Sequence, residues 1–165
     1  MKNREELAMS FKGIGVELGV ASGGFSKQIL KNPNVTSLSG IDLYEPNPYM
    51  AEKDLLNCIG IAKEVYKDPR STLVKADSKL VHTEFKDFSL DFVYIDAAHD
   101  YESVYTDIKN WGTKVKFGGI LAGHDFSNNW PGVMKAVEEK LGSSFILTGI
   151  GSEGDGGEPS WYIKL

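Results

Sequence analysis

The sequence predicts a doubly wound α/β fold: a seven-stranded, mainly parallel sheet with helices on both faces and a C-terminal antiparallel hairpin. Three observations carry this expectation. Short apolar runs alternate with longer amphipathic stretches, small residues crowd the end of the first run, and only the loop GSEGDGGEPS divides the last two runs.

Gly13–Leu18 reads as the first strand and Gly24–Asn32 as the helix that returns from it. Leu38–Leu43, Ser71–Lys75, Asp91–Asp96 and Gly119–Gly123 follow as strands, separated by helices within Tyr49–Tyr66, near Leu80–Phe85, and at Tyr101–Lys114. These separations are long enough for right-handed crossovers, so the first five strands should be parallel. Pro131 suits the first turn of a helix running to Leu141, where its missing N–H is no loss. Phe145–Gly149 and Trp161–Leu165 are too close in sequence for a crossover and should pair antiparallel. Their loop, Gly151–Ser160, would open on the ligand edge of the sheet, either as a flap or as a solvent loop.

The chain has 165 residues, and the whole of it, 1–165, reads as one domain. At that size folding buries roughly 70% of the accessible surface, enough for a real core. The net charge is -5 with both signs interleaved, so no basic stripe offers the phosphate neutralisation that nucleic-acid binding needs. No apolar run is long enough to span a bilayer, the start MKNREELAMSF lacks the apolar core of a secretory signal, and the single cysteine, Cys58, has no partner for an internal disulfide. The expectation is a cytoplasmic protein whose partner is a small molecule, not nucleic acid or membrane.

The first strand-to-helix junction runs Glu17-Leu18-Gly19-Val20-Ala21-Ser22-Gly23-Gly24. Small residues there let the backbone lie against a flat or extended ligand. Glu17 adds a carboxylate able to accept from an ammonium. Asp42 ends the next strand, 23 residues after Gly19, where sheets of this topology place the acid that accepts both ribose hydroxyls. A glycine-rich turn followed by such an acid points to a nucleoside. The Gly19, Ala21, Gly24 spacing satisfies the strict G-x-G-x-x-G turn only loosely, and Glu17 would repel a pyrophosphate while suiting an amino group. Asp77 and Ser78, read as the end of the third strand, could accept from an adenine amino group. A sulfonium nucleoside, S-adenosylmethionine, is therefore favoured over a dinucleotide.

ELGVASGG, IDLY, KADS, DFVYIDAAHDYESVYTDIKNW and FGGILAGHDF resemble successive motifs of class I S-adenosylmethionine-dependent methyltransferases, whose fold is Rossmann-like. The latter half is similar to the branch with macrocin-type sugar O-methyltransferases and cephalosporin-hydroxylase-like proteins. The resemblance implies that Glu17, Gly19, Ala21 and Gly23 line the methionine moiety, that Asp42 holds the ribose, that Asp77 and Ser78 sit at the adenine, and that Ser22, Leu43 and Asp96 also belong to the cofactor site. In metal-dependent relatives the acid matching Asp96 and an acidic pair after the next strand hold Mg²⁺, and the histidine matching His99 is the general base. Here His124 stands where the first acid of that pair would be, beside Asp125. A histidine in the set shifts preference toward softer metals. The implied reaction is methyl transfer to a hydroxyl of a small molecule, with Asp96 and His99 catalytic and Asp96, His124 and Asp125 as metal ligands.

Other readings remain at this point. A metal-independent enzyme, a non-catalytic cofactor-binding module of a larger assembly, and a small dinucleotide oxidoreductase each fit part of the pattern. Relatives often carry an N-terminal cap over the acceptor pocket, and about a dozen residues precede Gly13 here, so a homo-oligomer in which another subunit closes the site also fits. Tyr101, Val104, Tyr105, Ile108 and Trp111 recur at helical spacing and read as a core face, and Cys58 reads as a small apolar packing group. Trp130 could touch substrate or cover the sheet edge.

Overall fold

The computed structural model describes residues 1, 3–46, 52–149 and 157–165. Its sheet has the order β3-β2-β1-β4-β5-β7-β6, formed by β1 (Gly13–Leu18), β2 (Val35–Asp42), β3 (Ser71–Lys75), β4 (Leu90–Ile95), β5 (Val115–Gly123), β6 (Ile146–Leu147) and β7 (Trp161–Lys164). The pairs β1–β2, β1–β4, β2–β3 and β4–β5 are parallel. β7 lies antiparallel between β5 and β6, so the expected hairpin is present, with β7 inserted next to the parallel core. The expected bounds hold at Gly13–Leu18 and Ser71–Lys75, while β2 and β5 begin earlier than the apolar runs suggested and β6 is only Ile146–Leu147.

The helices are α1 (Arg4–Ser10), α2 (Gly24–Leu30), α3 (Glu52–Val65), α4 (Ser78–Val81), α5 (Tyr101–Gly112) and α6 (Pro131–Leu141). Asp77 does not end β3, as the sequence suggested, but accepts from the Lys79 N–H and caps α4. A short, polar residue in front of a helical turn satisfies an N–H that the helix itself leaves open. Among the described residues no helix is long and apolar enough to cross a membrane.

Period-two alternation sends each strand's side chains to opposite faces and so builds two cores. On one face Val16, Leu18, Ile41, Val93, Ile95 and Leu121 pack against Val104, Ile108 and Trp111 of α5 and Val133, Ala136 and Val137 of α6. The predicted apolar face of Tyr101–Trp111 is thereby confirmed, with Tyr101 and Tyr105 at its partly buried rim. On the other face Leu38, Phe92, Tyr94 and Ala122 meet Phe25, Ile29 and Leu30 of α2 and Leu7, Ala8 and Phe11 around α1.

The sequence reading missed α1. Its N-cap Asn3 accepts from the Glu6 N–H, and Phe11 beyond its end stacks on Phe92 with ring centroids 4.3 Å apart. The buried Asn32 amide donates to the Ala8 and Phe11 carbonyls and fastens the helix exit to the end of α2. Phe11→Ala should lower unfolding free energy by about 3–5 kcal/mol, the usual result of emptying a buried aromatic site. Denaturant titration would measure it; a loss below about 1 kcal/mol would mean that α1 is only loosely docked.

The carboxyl ends of the parallel strands finish at one level. The Gly19 N–H donates to the Ile41 carbonyl, Ala76 to Asp42, Asp96 to Leu18, and His124 to Ile95. Each donor is the first residue past its strand. The junctions therefore form one row above the sheet, and the order reverses between β1 and β4, where ligands of such sheets bind.

Candidate active site

A crevice of about 1130 Å³ opens over that row. Glu17, Gly19, Ala21, Ser22, Asp42, Leu43, Asp77, Ser78, Asp96, His99, His124 and Asp125 all line it. Of the residues singled out for a site, only Gly23 is absent from the lining. It caps α2 with φ +79, and a Cβ there would press on Val65 of α3, so it serves the packing of α2 on α3.

Gly19 has φ +83, and a methyl there would overlap the Asp96 carbonyl. The close approach that requires glycine is thus to the β4 end of the protein itself. Ala21 also has a left-handed φ of 47. An alanine in that region stores strain, and Ala21→Gly is expected to raise stability by up to about 1 kcal/mol, read as a shift in the denaturation midpoint. Asp42 braces this turn: Oδ2 accepts from the Val20 and Ala21 N–H groups, each at 2.9 Å, and Oδ1 from Tyr44 N–H. The Tyr44 hydroxyl in turn donates to the Ala21 carbonyl. Both oxygens of Asp42 are engaged, with one lone pair of Oδ1 left over, so its first duty is to shape the loop.

Glu17 is fully buried. Ser26 donates to its Oε2 at 2.5 Å and the Tyr66 hydroxyl at 3.2 Å. Burial pushes its carboxyl up to about 7, against the opposing pull of Ser26 and Arg4. Tyr66 reaches this position because Gly40 has no side chain in its way. Ser78 donates to Asp107, whose own carboxyl is raised by burial to about 6. Cys58, expected as a small apolar packing group, is half-buried and lines the crevice.

The β4 and β5 junctions meet at Asp125. Its Oδ2 lies 2.5 Å from His99 Nε2 and its Oδ1 2.8 Å from His124 Nδ1. Burial opposes its charge, but the two imidazoles prevail and hold the carboxyl well below the ordinary range. The hydrogen bond to Asp125, aided by nearby carboxylates, raises His99 above the usual imidazole value. Trp130 stacks on His99 with centroids 4.2 Å apart, fixing the ring from its other side. Asp125 itself has φ 63, a strained conformation of the kind that collects at working sites. Asp96 is raised by burial, and its Oδ2 accepts from Arg4 of α1 at 2.5 Å. Arg4 had no sequence signal beyond the Asn3-x-x-Glu6 capping pattern that marks its helix.

Asp96, His124 and Asp125 each offer a donor atom within 4.8 Å of the others. His124 Nε2 is buried without a partner among the described residues. Two carboxylates and one imidazole with an unpartnered ring nitrogen fit a divalent cation. Of the Gly151–Ser160 loop, residues 151–156 lie outside the described residues. Its remainder does stand at the site: Glu158 lines the crevice and accepts from Asn129, and the buried Ser160 meets the Tyr94 hydroxyl.

An open, mainly parallel sheet reversing between β1 and β4, a bent glycine-containing turn braced by the β2 acid, and acids at the strand tips make up the Rossmann-like plan expected of a class I methyltransferase domain. The chain belongs to the methyltransferase domain family, whose sequence model matches residues 14–126. No curated protein matches it. Among solved structures it is similar to spermidine synthase from Thermotoga maritima, at 13% identity and TM-score 0.66, over 99% of this chain and 56% of that one. It is also similar to the N-methyltransferase NodS from Bradyrhizobium japonicum in complex with S-adenosyl-L-homocysteine, at 18% identity and TM-score 0.64, over 98% and 82%. A third is CalS11, a TDP-rhamnose 3'-O-methyltransferase of calicheamicin biosynthesis, at 18% identity and TM-score 0.62, over 98% and 75%. At these identities the likeness is one of fold. The chain spans a little over half the length of the spermidine synthases it matches.

Proposed function

We propose that the chain, acting as one domain, transfers the methyl group of S-adenosylmethionine to a hydroxyl oxygen of a small molecule, with His99 taking the hydroxyl proton. The observation that carries this reading is the pair of His99 and Asp125 on the crevice wall, 2.5 Å apart, beside Asp96. With Nε2–H donating to Asp125, Nδ1 is the ring's basic nitrogen, and the carboxylate both orients the imidazole and stabilises it once protonated. Asp125 therefore acts first as the partner of His99. Held near in-line contact, sulfonium and oxygen need little further activation, since proximity supplies roughly 7–11 kcal/mol of such barriers.

Asp96, His124 and Asp125 would hold the divalent cation, which supplies Lewis acidity that lowers the pKa of the hydroxyl. Mg²⁺ prefers oxygen ligands and keeps several waters, and His124 biases the set toward softer ions. Exhaustive chelation is expected to lower turnover at least tenfold, restored by added Mn²⁺ or Mg²⁺; activity indifferent to chelator would remove the metal from this account.

Glu17 is assigned to the ammonium of the methionine moiety. Its carboxyl sits near 7 when unliganded, and a bound ammonium favours the ionised form. Binding therefore expels a proton below that pH, and S-adenosylhomocysteine affinity should fall roughly tenfold per pH unit under 7 and level off above it. A flat profile between pH 5 and 8 would detach Glu17 from the ammonium.

The reaction itself is tested by incubating the protein with methyl-labelled S-adenosylmethionine and a panel of hydroxylated sugars, phenols and aliphatic alcohols, with products located by mass spectrometry. An O-methyl product is expected. Methylation confined to nitrogen or carbon acceptors would overturn the oxygen assignment while leaving the cofactor in place.

A further inference from the structure

The docked N-terminal helix delivers one cation into the crevice. Arg4 opens α1, and Leu7, Ala8 and Phe11, all at most 1% exposed, seat that helix in the α2-side core. Its guanidinium lies 4.0 Å over the Phe25 ring, at the start of α2 directly past the cofactor turn, and 5.2 Å from the Tyr94 ring centroid. One Nη donates to Asp96, and its charge pulls on Glu17 against the burial that raises that carboxyl. Arg4 Nε is buried and has no acceptor among the described residues.

A guanidinium carries five N–H donors in a fixed fork. Asp96 accepts from one Nη–H, and the Nε–H is a donor without an acceptor among the described residues. An α-amino acid is a zwitterion, and Glu17 and Arg4, which both line the crevice, present one group for each of its charges. Burial matters here, because charge-assisted pairs strengthen as water is excluded.

We infer that Arg4 receives the carboxylate of the cofactor's methionine moiety, opposite Glu17 at its ammonium, so that the N-terminal helix is part of the cofactor site. This rests on the S-adenosylmethionine reading and names the amino-acid end of that site. Asp96 and the cofactor carboxylate then share one guanidinium, and arrival of the cofactor loosens the hold of Arg4 on Asp96.

The test compares ligands that differ only at that end. Calorimetric titration is run with S-adenosylhomocysteine, with its decarboxylated amine counterpart, and with 5'-methylthioadenosine, which lacks the amino-acid head. The unaltered protein should bind S-adenosylhomocysteine at least tenfold more tightly than the decarboxylated amine. Arg4→Gln should weaken S-adenosylhomocysteine by about 10–100-fold, the range of a charged hydrogen-bonded pair, while changing 5'-methylthioadenosine less than twofold. Arg4→Lys should recover part of the loss.

A purely structural Arg4 would weaken both nucleosides together, and that result overturns the inference, as does equal binding of acid and decarboxylated amine by the unaltered protein. The latter comparison needs no variant, so a poorly folding Arg4→Gln leaves the inference exposed to refutation. If the unaltered protein binds 5'-methylthioadenosine but not S-adenosylhomocysteine, Arg4 is wrongly assigned while the nucleoside site stands. If it binds none of the three ligands, the cofactor reading falls and takes the Arg4 assignment with it.

Discussion

Gly19→Ala is expected to abolish measurable S-adenosylhomocysteine binding and to destabilise the protein by about 3 kcal/mol or more. The two causes are separate and add. The residue sits at φ +83, a region that a side chain makes costly, and its missing Cβ is the space in which the Asp96 carbonyl passes. To admit a methyl, either the turn must lift or the β4 end must retreat. Lifting the turn breaks the hydrogen bonds of Asp42 to Val20 and Ala21; moving β4 displaces Asp96 and with it the pairing to Arg4. Each response alters the crevice that these residues line. Denaturant unfolding and calorimetry on the same sample would measure both consequences. Retention of native affinity would show that the turn can relax without involving the ligand.

His99→Ala should reduce turnover by about 10²-fold or more while leaving cofactor affinity within about twofold. The ring packs on Trp130 and Asp125, with no described contact to the turn of Gly19 or to Asp42. Its pH signature follows from the same partners. Asp125 raises His99 above the ordinary imidazole value of 6.5, and only the deprotonated ring can accept a proton. Turnover should therefore rise with pH along a limb lying above 6.5, and Asp125→Asn should move that limb downward as the raising charge is lost. Unchanged turnover in His99→Ala would remove this residue from the chemistry and leave the acceptor to be deprotonated by Asp96 or by solvent.

Much of this architecture could be read from residues alone, and the exceptions have physical causes. β1 and β3 are short apolar runs bounded by turn residues, and α6 begins at a proline, so local chemistry states their limits. β2 starts at Val35 and runs through the polar pair Thr36–Ser37, because parallel pairing with β1 begins there and overrides weak propensity. β5 contains Gly118 at φ +79 and a register shift against β4, so KFGG resembles a turn although the strand continues through it. α1 is seven residues long with few apolar positions, too little for a helical period to show, and its role arises only from where it docks.

The site was legible in kind more than in duty. Glu17, Asp42, Asp96, His99, His124 and Asp125 all reach the crevice, since each stands at or just past a strand end and the topology alone brings those ends together. What sequence could not state is who holds whom. Asp42 secures the turn, Asp77 caps α4, Gly23 makes room for Val65, and Asp125 is gripped by two imidazoles. These are long-range or cap contacts that no spacing rule encodes.

The placement of β7 between β5 and β6 bears on how the nascent chain acquires its shape. Until Trp161–Lys164 leaves the ribosome, β5 has only β4 beside it, and Ile146–Leu147 has no strand to join. Its other border, including the apolar Leu121 and Ala122, stays open through the synthesis of α6 and the loop that follows. An unpaired, apolar sheet border is a template for other chains. Trp161, 1% exposed once in place, covers that border, so dilution or added chaperone during expression should raise the yield of this protein.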